Sequence, residues 1–144
     1  MEVNQLQFGL GHADLIAENI QLNISKSPSF DNHVTAFDVL AYSRLHHMTI
    51  QAWSPFQSGF FAGAIVDNPQ LPELNAELDK LADKYQVGKN AVASAWIAYH
   101  PANIQVILGS MTASRIEDAA NIDKVKLTNQ EWYDLYLAAG YPLP

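Results

Sequence analysis

The side chains that could do chemistry in this chain gather at three corners. The first is Asn4-Gln5, inside the segment "EVNQLQF". A side-chain amide there offers a donor and an acceptor together, which suits a carboxamide or a peptide-like group. The second is "AWSPFQSG", residues 52–59. Trp53 can present a flat face to an aromatic ring, and Ser54 and Ser58 supply hydroxyls and loop amides. The third is "VILGSMTASRIEDAAN", residues 106–121, where an apolar run stops at Gly109-Ser110 and one of only two arginines follows. Gly109 and Ser110 leave room for an anion against backbone amides, with the positive end of the next helix pointing into that space. Thr112 suits a cap or a phosphate ligand, and the planar fork of Arg115 suits a phosphate monoester or stacking on a purine. Each corner also has a plain structural alternative: a glutamine satisfied by neighbouring strands, a core tryptophan, and an ordinary strand-to-helix turn with a surface arginine.

Other combinations carry less. His46 and His47 are adjacent, so on a helix they diverge by about 100° and cannot reach one ion from one face. No further ligand cluster accompanies them, and no metal site is expected. Ser94 lies mid-helix rather than on a nucleophile elbow, and neither G-x-G-x-x-G nor a P-loop is present.

The elements that must position these corners follow from periodicity. Val3, Gln5 and Gln7 alternate against Asn4, Leu6 and Phe8, which predicts a strand. A long connection with a helical turn near 13–18 follows, then a helix over 37–47 with Phe37, Leu40, Tyr42 and Leu45 near helical spacing. "MTIQAW" is a second strand, closed by a breaker cluster. Leu71, Leu74, Leu78, Leu81 and Tyr85 recur every three or four residues, the face of a helix packed on a core, with Pro72 tolerated in its first turn. A second helix carries Val92, Trp96 and Tyr99 on one side. "IQVIL" is a third strand, expected to be buried on both faces. A helix over 114–120 and a last helix opened by a Thr128/Glu131 capping box complete the order.

This is α/β with parallel strands. Three parallel strands leave two edges of unpaired backbone, so the chain is expected to be a piece of something larger or to pair with another chain. Its 144 residues fit one modest domain; 49% hydrophobic and 16% charged residues make it globular. A net charge of −7 argues against a nucleic-acid surface. No run approaches a membrane span and no signal core precedes the first strand, so the cytoplasm is the expected compartment; the absence of cysteine is compatible with any compartment.

Taken in order, "VNQLQF", "MTIQAWSPF", "HPANIQVILGSMTASRI" and "LTNQEWYDLYLAAGYPLP" resemble the aldo-keto reductases, in particular the YdhF-like bacterial oxidoreductase branch, over nearly the whole chain. The resemblance implies a (β/α)8 TIM barrel of roughly 250 residues or more, of which residues 1–144 are the carboxyl-terminal half: a single partial barrel of about three parallel strands with covering helices and a terminal helix. It implies NADP(H) along the barrel top. Gln5 would hold the nicotinamide carboxamide and Trp53 would stack on its ring. Ser54, Phe56 and Ser58 would flank the pyrophosphate. Gly109, Ser110, Met111 and Thr112 would follow the adenosine ribose and its 2′-phosphate, and Arg115 the adenine end. Gly109 stands where the family often has Lys, and Asp118-Ala119 where it often has Glu-Asn, which leaves NAD(H) open.

The family's acid Tyr, its Lys and Asp supports and its substrate-orienting His belong to the amino-terminal half, so no catalytic residue is assigned here. The function expected is the NADP(H)-binding portion of an oxidoreductase that reduces aldehydes or ketones, small-molecule carbonyls, when complete. The alternative is a non-catalytic half-barrel that binds a dinucleotide or self-associates, with the missing barrel half or a second copy of this chain as its partner.

Overall fold

In a computed structural model that describes residues 3–20, 36–58 and 63–143, the alternating segment is strand β1 (Val3–Gln7). Helices α1 (Asp14–Ile20) and α2 (Ala36–Leu45) lead to strand β2 (Thr49–Trp53). Helices α3 (Pro72–Tyr85) and α4 (Lys89–Ala98) lead to strand β3 (Ile104–Val106). Helix α5 (Ala113–Ala120), a 3-10 turn (Asn121–Lys124) and helix α6 (Asn129–Ala138) follow. The part of the long connection at 21–35, and the Phe37 side chain, lie outside the described residues.

The strands form one parallel sheet in the order β1-β2-β3. Asn4 pairs with Ile50 and Ile50 with Ile104; one step on, Gln5 pairs with Gln51 and Gln51 with Gln105. Side chains alternate along a strand, so the sheet has two unlike faces. Ile50, Ala52 and Ile104 are buried on the helix side, whereas Val3, Gln5 and Gln105 are exposed on the other. The expectation of a third strand buried on both faces is therefore corrected: β3 is three residues long and Gln105 lies open. Among the described residues no helix covers that far face.

Leu74, Leu78 and Leu81 of α3 are buried in the core, as their spacing requires. Helix α4 departs from a one-sided pattern. Residues 91–97 are all buried, because α3, α5, β3 and the 3-10 turn surround it. Tyr99, placed by its spacing on one side with Val92 and Trp96, is its exposed C-cap. On α2, Leu40 is buried but Tyr42 is exposed and Leu45 is 75% exposed, so helical spacing there did not mark one inward face.

The terminal helix is tied to this core through aromatic rings. Trp96 and Trp132 stack with centroids 4.9 Å apart, and each indole N–H donates to the other's backbone carbonyl, at 3.0 and 2.9 Å. Phe8 stacks on the Trp96 ring, Tyr136 on Trp132, and Tyr141 on Tyr136. The Tyr141 hydroxyl then accepts the Ala13 backbone N–H at 2.8 Å, at the start of α1.

The capping box is present as read. Glu131 N–H donates to Thr128 Oγ1, and Thr128 N–H donates back to the carboxylate. That carboxylate also takes bonds from Lys84 Nζ and the Tyr85 hydroxyl, reaching across to α3. Burial alone would raise its pKa, but these donors outweigh burial and hold the group at about 2.

Candidate functional site

The second and third corners lie at the carboxyl ends of their strands, where parallel α/β folds place ligands, whereas Asn4-Gln5 lies in the middle of β1. The second corner is the best built. Ser54 leaves β2 with φ at +50°, in the left-handed region that a non-glycine residue occupies at a cost. The chain then doubles back: Ser58 N–H donates to the Gly63 carbonyl and Ile65 N–H to the Phe56 carbonyl, both at 2.8 Å. Asn75 on α3 holds the returning limb. Its Nδ2 donates to the carbonyls of Ile65 and Leu71, and its Oδ1 accepts the Asp67 N–H at 2.7 Å.

The turn that follows β1 is pressed against this loop. Gly9 and His12 exchange backbone bonds in a tight turn. A Cβ on Gly9 would come within 2.3 Å of the Pro55 carbonyl oxygen, and one on Gly11 within 2.2 Å of that of Gln57. Only glycine allows so close an approach of two backbones.

At the third corner, Ser110 Oγ accepts the Thr112 N–H at 3.2 Å. Thr112 occupies the N-cap position of α5, but its side chain makes no capping bond, which corrects the cap suggested by its position. Asp118 does not face the open corner with Arg115. Its carboxylate accepts from the backbone N–H and the side-chain Nδ2 of Asn90, securing the start of α4.

Between the second and third corners lies a cavity of about 430 Å³, lined among others by Ser54, Phe56, Gly109, Ser110 and Arg115, with Asp67 and Asn90 on its rim. Five of the ten residues singled out in the sequence thus share one space. Arg115 is its only cation, and no carboxylate pairs with it among the described residues. Asp67 is already matched by Lys89, whose ammonium also bonds Asp79; both contacts are 2.6 Å and raise the Lys89 pKa. Asp67 and Asp79 share that one ammonium, so the lining as a whole is not net positive; the exposed Arg115 guanidinium, without a carboxylate partner among the described residues, is the group that suits an anion.

Ser58, Met111 and Thr112 do not line this cavity, and Met111 is 98% exposed. Gln5 and Trp53 lie on the open face of the sheet. Trp53 directly precedes Ser54 in the chain, but neither Trp53 nor Gln5 lines the cavity. On the open face Gln5 is bonded to its neighbour: its Nε2 donates to Gln51 Oε1 at 2.7 Å, and Gln51 Nε2 donates to Gln105 Oε1 at 2.8 Å.

Sequence reasoning missed Gln51 and Gln105, the clamp at Asn75 and the close approach at Gly9 and Gly11. The signal for the first pair was present, since each is the polar residue at the middle of an otherwise apolar strand segment. A second cavity, of about 420 Å³, lies towards the amino ends of the strands beside Arg44, His100 and Trp132. Burial, reinforced by Arg44, lowers the pKa of His100 there. Among the described residues no group of three or more potential metal ligands is present, and no helix is long and apolar enough to cross a membrane.

A sequence model of the aldo/keto reductase family matches residues 11–136. A 6-dehydroglucose reductase of Agrobacterium fabrum is 31% identical over 126 residues, covering 87% of this chain and 39% of that protein. A protein of the same name from Novosphingobium aromaticivorans is 37% identical over 101 residues, covering 67% of this chain and 32% of its own length. The uncharacterized oxidoreductase YcsN of Bacillus subtilis is 30% identical over 95 residues, 65% of this chain and 31% of that protein. The chain spans less than half the length of each of these relatives. Matched by the family model over most of its residues, the chain belongs to the aldo/keto reductase family.

Proposed function

We propose that residues 1–144 form the carboxyl-terminal part of an aldo-keto reductase barrel, a single partial domain whose strand ends bind NADP(H). The observation that carries this reading is the unpaired Arg115 in a cavity shared with Ser54, Phe56, Gly109 and Ser110. A lone guanidinium beside small residues and loop amides suits a phosphate monoester, which the 2′-phosphate of NADP(H) supplies and NAD(H) lacks.

In this reading Arg115, Ser110 and Thr112 hold the adenosine end, with Gly109 and Met111 along the ribose. Ser54, Phe56 and Ser58 flank the pyrophosphate, while Trp53 and Gln5 receive the nicotinamide on the open face. The bound dinucleotide carries the hydride by which a carbonyl and an alcohol interconvert. The part of this chain is to bind and orient. The carbonyl must also be protonated by a positioned acid, and no residue of this chain is assigned that task; it falls to the remainder of the barrel. The substrate class is a small aldehyde or ketone.

Titration of the chain with NADPH, with NADH alongside, tests the reading through Trp53 fluorescence. NADPH is expected to bind more tightly than NADH. Arg115→Ala is expected to weaken NADPH by about ten- to a hundredfold, the worth of a charge-assisted hydrogen bond, while leaving NADH little changed. A folded chain that ignores both nucleotides would overturn it. The exposed face bearing Val3, Gln5 and Gln105 favours a second reading, a half-barrel that pairs with its own copy; a monomer in sedimentation across micromolar concentrations would remove it.

A further inference from the structure

The second cavity, at the amino ends of the strands, is walled on one side by α1 and α2. The end of α4 and the first turn of α6 form the other side. Its volume of about 420 Å³ is enough for a small organic molecule. Ile16, Leu40 and Trp132, all buried in the core, turn apolar atoms towards it. The far wall is tied together by the Tyr99 hydroxyl, at the C-cap of α4, which donates to Asn129 Oδ1 at the start of α6.

Two polar groups stand against this apolar lining. Arg44, in the last turn of α2, is exposed, and no carboxylate pairs with it among the described residues. His100 accepts the Ala102 backbone N–H on Nδ1 at 3.2 Å, so its neutral ring carries the proton on Nε2. Burial, and then the nearby Arg44 charge, hold the imidazole below its ordinary pKa. At neutral pH it therefore donates a hydrogen bond without adding a second charge. One cation, one neutral donor and an apolar floor suit a single negative charge on a hydrocarbon body. A phosphate dianion would lack a second charge, and a sugar would lack polar partners for its hydroxyls. A carboxylate also matches the planar fork of the guanidinium.

We propose that this cavity is a second binding site, for a small apolar monocarboxylate. Arg44 holds the carboxylate, His100 Nε2 donates to it, and the hydrocarbon body lies against Ile16, Leu40 and Trp132. The site is at the opposite ends of the strands from the Arg115 cavity, so its occupant does not compete with a nucleotide there. It stands whether or not that nucleotide binds.

Calorimetric titration of the full chain with 2-naphthoate, and with its neutral isostere 2-naphthylmethanol, tests the site. The carboxylate is expected to bind about tenfold more tightly than the alcohol, the lower worth of a hydrogen bond to a charged group. Arg44→Gln should remove that preference while the alcohol binds as before. Arg115→Ala, in the other cavity, should leave the preference intact. Nuclear Overhauser contacts from naphthoate to the Leu40 and Ile16 methyls of the wild-type chain locate the ligand without any variant. The proposal is overturned if the wild-type chain does not bind naphthoate, or if it binds acid and alcohol equally. A preference that survives Arg44→Gln, or that is lost in Arg115→Ala, overturns it as well.

Discussion

A Cβ built on Gly109 meets nothing within 4 Å, and the nearest useful charge in the cavity is that of Arg115. A long basic side chain introduced there has room to reach the same anion. Gly109→Lys is therefore expected to tighten NADPH binding by about tenfold, as a second charge-assisted bond, with NADH nearly unchanged; equal affinities of the variant and wild type in a fluorescence titration would place the 2′-phosphate elsewhere. At this scale the sequence was informative where a residue was rare or out of pattern. Arg115 stood out because arginine occurs twice, and Ser54 because it follows a strand and precedes Pro55. What it could not reveal was which polar residues are already occupied. Nothing in the spacing of Asp118 says that it serves Asn90 across a helix pair, or that Asp67 is matched by Lys89. Those pairings join residues 28 and 22 positions apart and depend on the fold being formed first.

Helices were the legible elements, because three- and four-residue spacing and a capping box are local signals. The length of β3 and the all-round burial of α4 were not, since both depend on which elements surround them rather than on their own residues. Glu131 gives the element scale a pH test. Its pKa, near 2 when folded against 4.5 as the reference value, lies below that of the unfolded chain. A depressed carboxyl contributes stability that is complete above about pH 4.5 and is lost as pH falls towards 2. Urea denaturation should show a decline over that window, of order 3 kcal/mol at its fullest. Glu131→Gln should be less stable near neutrality and show a shallower acid decline; an unaltered slope would mean that other carboxylates govern it. The contact between the turn after β1 and the loop after β2 makes a second prediction. Gly9→Ala or Gly11→Ala forces a backbone carbonyl to move, with a cost of about 1–3 kcal/mol, and should lower the midpoint of thermal unfolding and weaken NADPH together, because the displaced loop carries Ser54 and Phe56.

At the scale of the molecule, one side of the sheet is buried under helices while the other carries exposed Gln5 and Gln105 beside half-buried Gln51 and Trp53. That asymmetry was not legible in the sequence, where the family resemblance explained only the low strand count, since three short strands by themselves do not say whether their second face meets water or protein. The aromatic stack through Phe8, Trp96, Trp132, Tyr136 and Tyr141 runs on the helix side and ends at the Ala13 amide. Tyr141→Phe removes that acceptor and should destabilise the chain by about 1–3 kcal/mol, the cost of an unsatisfied buried donor, read as a lower melting temperature; an unchanged melt would mean that water replaces the hydroxyl. The same bond has a temporal side. Its two partners are 128 residues apart, and a ribosome adding about 5–20 residues per second needs many seconds to travel that distance. The bend after β1 therefore leaves the ribosome well before Tyr141 and stays without this latch until that distant tyrosine has been synthesised, a window in which chaperones and proteases can reach it.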